Sequence, residues 1–277
     1  MKVTVVIPTI QKTLPYLELC VKSLRATTPD WDIIVVSNKG GYSYPIDLPV
    51  RRYHIGRQGQ CHAVNVGVKL ADPDTDYIMV SNDDMYYAPG WNDNLPVIDS
   101  MWDLCFSPNL IEPTDNAGSA PPFNKLDGGL TLDEFKQGVI DQYVADRVKA
   151  VDVKDSKEDG FNFPVFIKKE VWDVIEGYDN NYDPWGSNSD TDLQTKIELA
   201  GIKPKRYRDM LVYHFGSKSG TFDPDKQSYW QKNWDYYQNK WGFNRDELGS
   251  DTWYCRDMLP KDESRIKFKP DWKGKYA

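Results

Sequence analysis

Three places in the chain gather side chains that could do chemistry. Asn82-Asp83-Asp84 sets an amide and two carboxylates in a row, and adjacent carboxylates attract a hard, oxygen-seeking cation such as Mg2+ or Mn2+. A second acidic cluster runs from Asp179 to Asp192; within it Asp190 precedes a run of helical periodicity and sits beside a Trp185-Gly186 turn. A carboxylate fixed at a helix start is well placed to act as a general base toward a hydroxyl. His214, ahead of Phe215-Gly216-Ser217, could ligate a metal or touch a phosphate. Each feature also has a plainer reading. Asn and Asp are turn residues and Pro89-Gly90 follows closely, Ser189 or Asp190 can simply cap a helix, and a lone histidine is more often neither ligand nor catalyst.

These residues need elements to hold them. Tyr77 to Val80 is short, aromatic, β-branched and apolar, which predicts a buried strand running straight into Asn82-Asp83-Asp84. In open α/β sheets ligands bind just beyond the carboxyl ends of the strands, so this strand delivers acids to the ligand edge. Lys2 to Thr9 predicts a first buried strand closed by Pro8, followed by a helix carrying Leu14, Leu17, Val21 and Leu24 behind Thr13 and Pro15. Asp32 to Ser37 is the next strand, and its exit at Asn38 lies at the same edge. This β-α-β opening implies a parallel, right-handed crossover.

Further along, Arg51 to Ile55 reads as a short strand, and Val64, Gly67, Val68 and Ala71 share one face of a helix. Gly56, Arg57 and Gly59 at its start either admit a diphosphate to the helix N-terminus or mark a turn and a close helix contact. A helix is expected over Trp91 to Trp102, a strand over Leu104 to Ser107, a Pro/Gly/Asn-rich loop over residues 107–130 and an amphipathic helix over Leu132 to Val148. Phe161 to Ile167 reads as a strand and Lys169 to Ile175 as a short helix. The helix behind Asp190 carries Leu193, Ile197 and Ala200 and stops at Gly201. Lys205 to Tyr213 is strand-like up to His214, and Tyr229 to Gly242 forms an aromatic-rich helix. Aromatic rings at helical spacing are usually core; here they also offer faces for stacking on sugars.

Composition narrows the function. With 34 Lys and Arg against 42 Asp and Glu, the net charge is −8 and both signs are mixed along the chain. That disfavours nucleic acid as a partner. Cys20, Cys61, Cys105 and Cys255 are far apart and form no C-x-x-C pair, which suits reduced core thiols and a cytoplasmic location. No apolar run approaches the length of a membrane span, although peripheral contact with a membrane surface stays open. At 277 residues the chain can bury one large core with a smaller annex. The expected division is a main domain over 1–220, in halves 1–106 and 107–220, then a helical extension over 221–277.

Taken in order, the stretches VTVVIPT, QGQCHAVNVGVKLA, YIMVSNDDMYYAPGW and GYDNNYDPWGSNSDTDLQTKIELAG, with YHFGSKS and KWG behind them, resemble the family 2 glycosyltransferases, in particular the non-processive, rhamnosyltransferase-like group. The resemblance implies the GT-A fold: an α/β, Rossmann-like, mixed but mostly parallel sheet flanked by helices, here with an aromatic-rich helical C-terminal extension. It also implies an inverting, metal-dependent transfer of a sugar from a nucleotide-diphosphate sugar, UDP-sugar favoured, to a hydroxyl of a saccharide or glycoconjugate acceptor, with Mn2+ or Mg2+ as cofactor. Residue by residue, Pro8, Thr9, Asn38, Arg57, Gln58, Asn65, Asn82, Asp83 and Trp185 are assigned to the nucleotide sugar, Asp84 and His214 to the metal, and Asp190 to the general base with Asp192 behind it. Three departures stand out: Asn82 replaces the first acid of the DxD-like motif, Ser37-Asn38 replaces an Asp pair, and Ser189 stands where Glu is common. A sugar-nucleotide nucleotidyltransferase and a catalytically silent carbohydrate-binding module are the alternatives.

Overall fold

The computed structural model describes residues 1–38, 48–56, 58–114, 124–150, 152, 154–216, 218, 227–244, 248 and 258–277. The chain opens with β1 (Val3–Thr9), α1 (Leu14–Thr27), β2 (Asp32–Ser37), β3 (Arg51–His54), α2 (Gln60–Lys69) and β4 (Tyr77–Val80). There follow β5 (Met85–Tyr86), α3 (Leu95–Ser100), β6 (Cys105–Pro113), β7 (Asn124–Leu126), α4 (Gln137–Ala150), β8 (Lys157–Asp159), β9 (Val165–Lys168) and α5 (Lys169–Val174). The last elements are α6 (Ser189–Leu199), β10 (Lys205–His214) and α7 (Gln227–Trp241).

One sheet carries the order β3-β2-β1-β4-β9-β6-β10-β5, with β7 beside β6 and β8 beside β10. Neighbours β3, β2, β1 and β4 are parallel. β9 runs antiparallel to both β4 and β6, which returns β6 and its parallel partner β10 to the direction of β1. The carboxyl ends of β1, β2, β4, β6 and β10 therefore lie at one edge. The mixed, largely parallel sheet agrees with the sequence expectation.

Period-2 alternation sorts the side chains into two cores. Val3, Val5, Ile7, Tyr77 and Met79 join α1, α3 and α4 on one face, whereas Val6, Ile78 and Val80 join α2, α5, α6 and α7 on the other. Tyr237 and Trp241 of α7, together with Ile266, belong to that second core, so the C-terminal segment is packed into the main body. Helix α2 presses on β1 closely enough that a Cβ on Gly67 would collide with Val6 Cγ1, which explains the glycine on its buried face.

Several boundaries differ from the sequence reading. β6 continues through Ser107-Pro108-Asn109 because β10 follows it, shifting register between Tyr207 and Leu211 to do so. The helix expected over Trp91 to Trp102 is regular only over Leu95–Ser100, after turns at 91–94. The helix expected from Leu132 begins at Gln137, because Glu134 turns back to accept from Thr131 N and Oγ1. Cys20, Cys61 and Cys105 are buried free thiols, and Cys255 lies outside the described residues.

Candidate active site

Beyond the strand ends lies a cavity of about 270 Å3 whose lining includes Pro8, Thr9, Asn38, Asn82, Asp83, Asp84, Trp185, Asp190 and His214. Nine residues separated by as many as 206 positions, and singled out from sequence, meet in one cleft. Glu112, Asn162, Asn188 and Trp230 line it as well.

Asp84 and His214 are brought together by β4 and β10. His214 Nε2 lies 3.4 Å from Asp84 Oδ1, and Asp84 Oδ2 accepts from the Lys218 N–H at 3.2 Å. The other ring nitrogen, Nδ1, is 2.9 Å from Glu112 Oε1 on β6. Burial alone would lower the imidazole, but Asp84 and Glu112 on either side raise it to about 10. Burial likewise works against the Asp84 carboxylate, yet His214 holds it below its ordinary range. Glu112 Oε2 is a buried oxygen without a hydrogen bond, its nearest cation being Lys125 Nζ at 3.9 Å.

Asp83 has a different environment. Thr9 Oγ1 donates to its Oδ2 at 2.6 Å and Thr13 Oγ1 donates to the same oxygen, so this carboxyl ties the exit of β1 to the exit of β4. Burial and the adjacent Asp84 push it up to about 7 against the two hydroxyls. Two neighbouring acids thus separate into one held by the end of β10 and one held by threonines.

Asn38 follows β2, and its Oδ1 accepts from the Gln58 N–H at 3.2 Å and from the Gly59 N–H. Its carbonyl oxygen therefore shapes the loop before α2, while the residue still lines the cleft. Gln58 borders this loop with its Nε2 on Ile55 O at 2.9 Å and does not line the cavity. Arg57 lies outside the described residues. The start of α2 proves to be a turn and a close contact: the Cys61 and His62 N–H groups donate to Asp183 Oδ1 and Oδ2 at 3.0 and 2.9 Å. A carboxylate from the chain occupies the position where a diphosphate was the alternative, and a Cβ on Gly59 would run into it. Asn65 is tied to the backbone of Tyr178. Its amide donates to Tyr178 O at 2.8 Å and its oxygen accepts from Tyr178 N at 3.0 Å, away from the cleft.

Asp190 stands exposed in the first turn of α6, its Oδ1 accepting from Thr191 N at 2.8 Å. Asp192 is fully buried and points elsewhere, accepting from Trp241 Nε1 at 2.7 Å and Tyr182 Oη at 3.1 Å and pairing with Lys240 at 2.8 Å. It locks α7 to α6. Sequence reasoning missed Glu112, and the available signal was an acid inside an apolar strand; it missed Trp230 and Asn188 as cleft residues because nothing local places them there.

Among the described residues no set of three or more His, Cys, Asp or Glu side chains converges on a metal-sized point. The donor set nevertheless fits a divalent cation that shares its coordination with phosphate oxygens and water, since Mg2+-type sites commonly use one or two carboxylates plus substrate. Glu112 on Nδ1 orients the ring, so that loss of the Nε2 proton on cation binding would leave the Nε2 lone pair beside Asp84, the arrangement expected behind a histidine ligand.

Comparison with known proteins bears on the fold. A crystal structure of GalNAc-T7 with UDP, GalNAc and Mn2+ matches with a TM-score of 0.55 at 15% identity, covering 77% of this chain and 44% of that one. S. aureus TarS 1-349 matches at 0.54 and 13%, covering 89% and 73%. The mannosyltransferase PcManGT from Pyrobaculum calidifontis, in complex with GDP-Man and Mn2+, matches at 0.51 and 15%, covering 79% and 58%. This chain spans less than half the length of the GalNAc-T7 chain. Comparison with curated protein sequences finds none that matches. The mixed, largely parallel sheet flanked by helices is shared with these structures and shows the GT-A fold. Residues 4–95, the first third of the chain, match the sequence model of Glycosyl transferase family 2. Neither finding singles out the rhamnosyltransferase-like group.

Proposed function

We propose that the protein transfers a sugar, with inversion, from a nucleotide-diphosphate sugar to a hydroxyl of a glycan or glycoconjugate. The observation that carries this reading is the meeting of Asp84, His214 and Asp190 in one cleft at the carboxyl edge of the sheet. Departure of the nucleoside diphosphate leaves negative charge on phosphate and positive charge at the anomeric carbon. Asp84 and His214 would hold Mn2+ or Mg2+, which would supply Lewis-acid neutralisation of that phosphate. Asp190 accepts the proton of the acceptor hydroxyl as its oxygen attacks the anomeric carbon from the face opposite the leaving group, which inverts the centre. Glu112 keeps His214 oriented. Thr9 and Thr13 hold Asp83 at the cleft wall, where it and Asn82 complete the DxD-like motif toward the donor. Pro8, Thr9, Asn38 and Trp185 contribute the rest of the donor wall, and UDP is the favoured nucleotide.

Domain 1–220 is the catalytic unit in this reading and 221–277 its extension, whose α7 closes one side of the cleft through Trp230. Among the described residues no helix is long and apolar enough to cross a membrane, and the buried free thiols accord with a cytoplasmic location. The test is thermal-shift binding of uridine, thymidine, guanosine and cytidine diphosphate sugars with and without Mn2+. One nucleotide should give a Mn2+-dependent shift that Asp84→Ala abolishes, since stabilisation grows with ligand concentration over affinity. No shift with any of the four would sink the reading.

A further inference from the structure

Helix α7 carries an aromatic surface that core packing does not use up. Its inward residues are Asn233, Tyr237 and Trp241, and Asn233 Nδ2 pins the helix to the turn before α6 by donating to Tyr182 O at 2.7 Å and Ser187 O at 3.1 Å. That anchorage carries Trp230 into the lining of the cleft that holds Asp190. Trp234, one turn on, lies parallel to Trp230 with centroids 5.5 Å apart and planes 11° from each other. Tyr229, 39% exposed, meets Trp185 edge-on at 6.1 Å.

The sequence of α7, QSYWQKNWDYYQNKW, contains aromatic and amide side chains and no Leu, Ile, Val or Met. An interfacial membrane helix is rich in Lys and Arg on its polar face, whereas α7 has two Lys, of which Lys240 is paired with Asp179 and Asp192; rings interleaved with amides suit a ligand that has both an apolar C–H face and hydroxyls. A second observation points the same way. Asn188, two residues before Asp190, lines the same cleft and its Nδ2 is buried without a hydrogen-bond partner. A buried donor left unpaired is costly, and the residue holds this position at φ 63°, in the left-handed region. A hydroxyl oxygen supplied by a ligand would satisfy it.

We infer that Trp230, Trp234 and Asn188 form the acceptor subsite, and that the acceptor is a saccharide: a pyranose ring stacks on the tryptophan pair, a ring hydroxyl accepts from Asn188 Nδ2, and the reacting hydroxyl faces Asp190. The inference rests on the transferase reading above and names its substrate class. The probe is a broad glycan array, with the strongest hits carried to calorimetry on wild type, Trp230→Ala and Asn188→Gly; glycine keeps the positive φ while removing the amide. Binding of the hit should weaken about tenfold or more in Trp230→Ala, as for truncation of an aromatic anchor, and clearly in Asn188→Gly. Both variants should retain the Mn2+-dependent thermal shift with the nucleotide, which shows that they fold.

Three outcomes overturn the inference. One is nucleotide binding in the absence of any bound glycan, and another is glycan affinity that Trp230→Ala leaves within about twofold of wild type. The third is co-sedimentation with phosphatidylcholine and phosphatidylglycerol vesicles that Trp230→Ala abolishes, which would make the aromatic surface a membrane contact. Glycan binding without response to any nucleotide diphosphate would instead strike the transferase reading itself, and the surface would then belong to a binding module.

Discussion

Replacing Asp190 by Asn is the sharpest probe of the chemistry, because the structure separates what that carboxylate does for the fold from what it does for the reaction. Among the described residues its one hydrogen bond is accepted by Oδ1 from Thr191 N at 2.8 Å, and the Asn amide oxygen can accept the same bond. The fold loses just the attraction between a negative charge and the N-terminus of α6, about 0.3–1 kcal/mol. Loss of a general base typically lowers turnover by about 10²–10⁴-fold, or roughly 3–5 kcal/mol of barrier. The catalytic effect therefore exceeds the structural one severalfold. The assay is nucleoside diphosphate release at saturating donor and acceptor, with donor affinity measured separately by calorimetry. The expected result is a fall in kcat with unchanged donor affinity. If the variant keeps more than about a tenth of wild-type kcat, or loses donor affinity in step with turnover, Asp190 is not the base. Asp192→Asn is the contrasting case: it disturbs a buried carboxylate held by Trp241, Tyr182 and Lys240, so stability should fall by about 3 kcal/mol.

Much of this arrangement was legible because two local signals coincide at each key position. Tyr77 to Val80 changes abruptly from apolar to acidic, which marks both a strand and its ligand-bearing end, and Asp190 stands where an acidic run meets helical periodicity. What was hidden depends on pairing across long separations. Asn65 is assigned to the nucleotide sugar through the resemblance alone, and nothing local reveals that it bonds the backbone of Tyr178, 113 positions away. Asp183 was unremarkable in a turn-rich stretch, yet it caps α2 from 121 and 122 positions away. Ser107-Pro108-Asn109 reads locally as the end of a strand, which hides Glu112; a Pro in β6 is tolerated because β10 shifts register beside it. β5, two residues long, carries no periodicity to read.

Three further outcomes follow from the geometry. Glu112→Leu should weaken Mn2+ binding about 10–100-fold by electron paramagnetic resonance titration, with Glu112→Gln intermediate because its amide oxygen can still accept from His214 Nδ1; equal affinities would refute the orienting role. Asp183→Ala should cost about 1–2 kcal/mol in urea unfolding, the range for losing a helix cap, and a neutral result would mean that water serves the α2 amides equally well. Asp179 gives a test of sign. Burial opposes its charge, but Lys240 Nζ at 2.7 Å, the Asn181 N–H and Tyr236 Oη lower it from 3.8 to about 2. A carboxyl whose folded value is depressed contributes stability that is fully present above its unfolded value and lost as pH falls toward the folded one. After allowance for solvent screening of this partly exposed pair the difference corresponds to about 1–2 kcal/mol, present at pH 7 and fading between about pH 4 and 2. Wild type should therefore lose its advantage over Asp179→Asn across that interval in unfolding titrations at stepped pH, and an advantage that persists at pH 2 would show that the carboxylate's ion pair and hydrogen bonds are not its source.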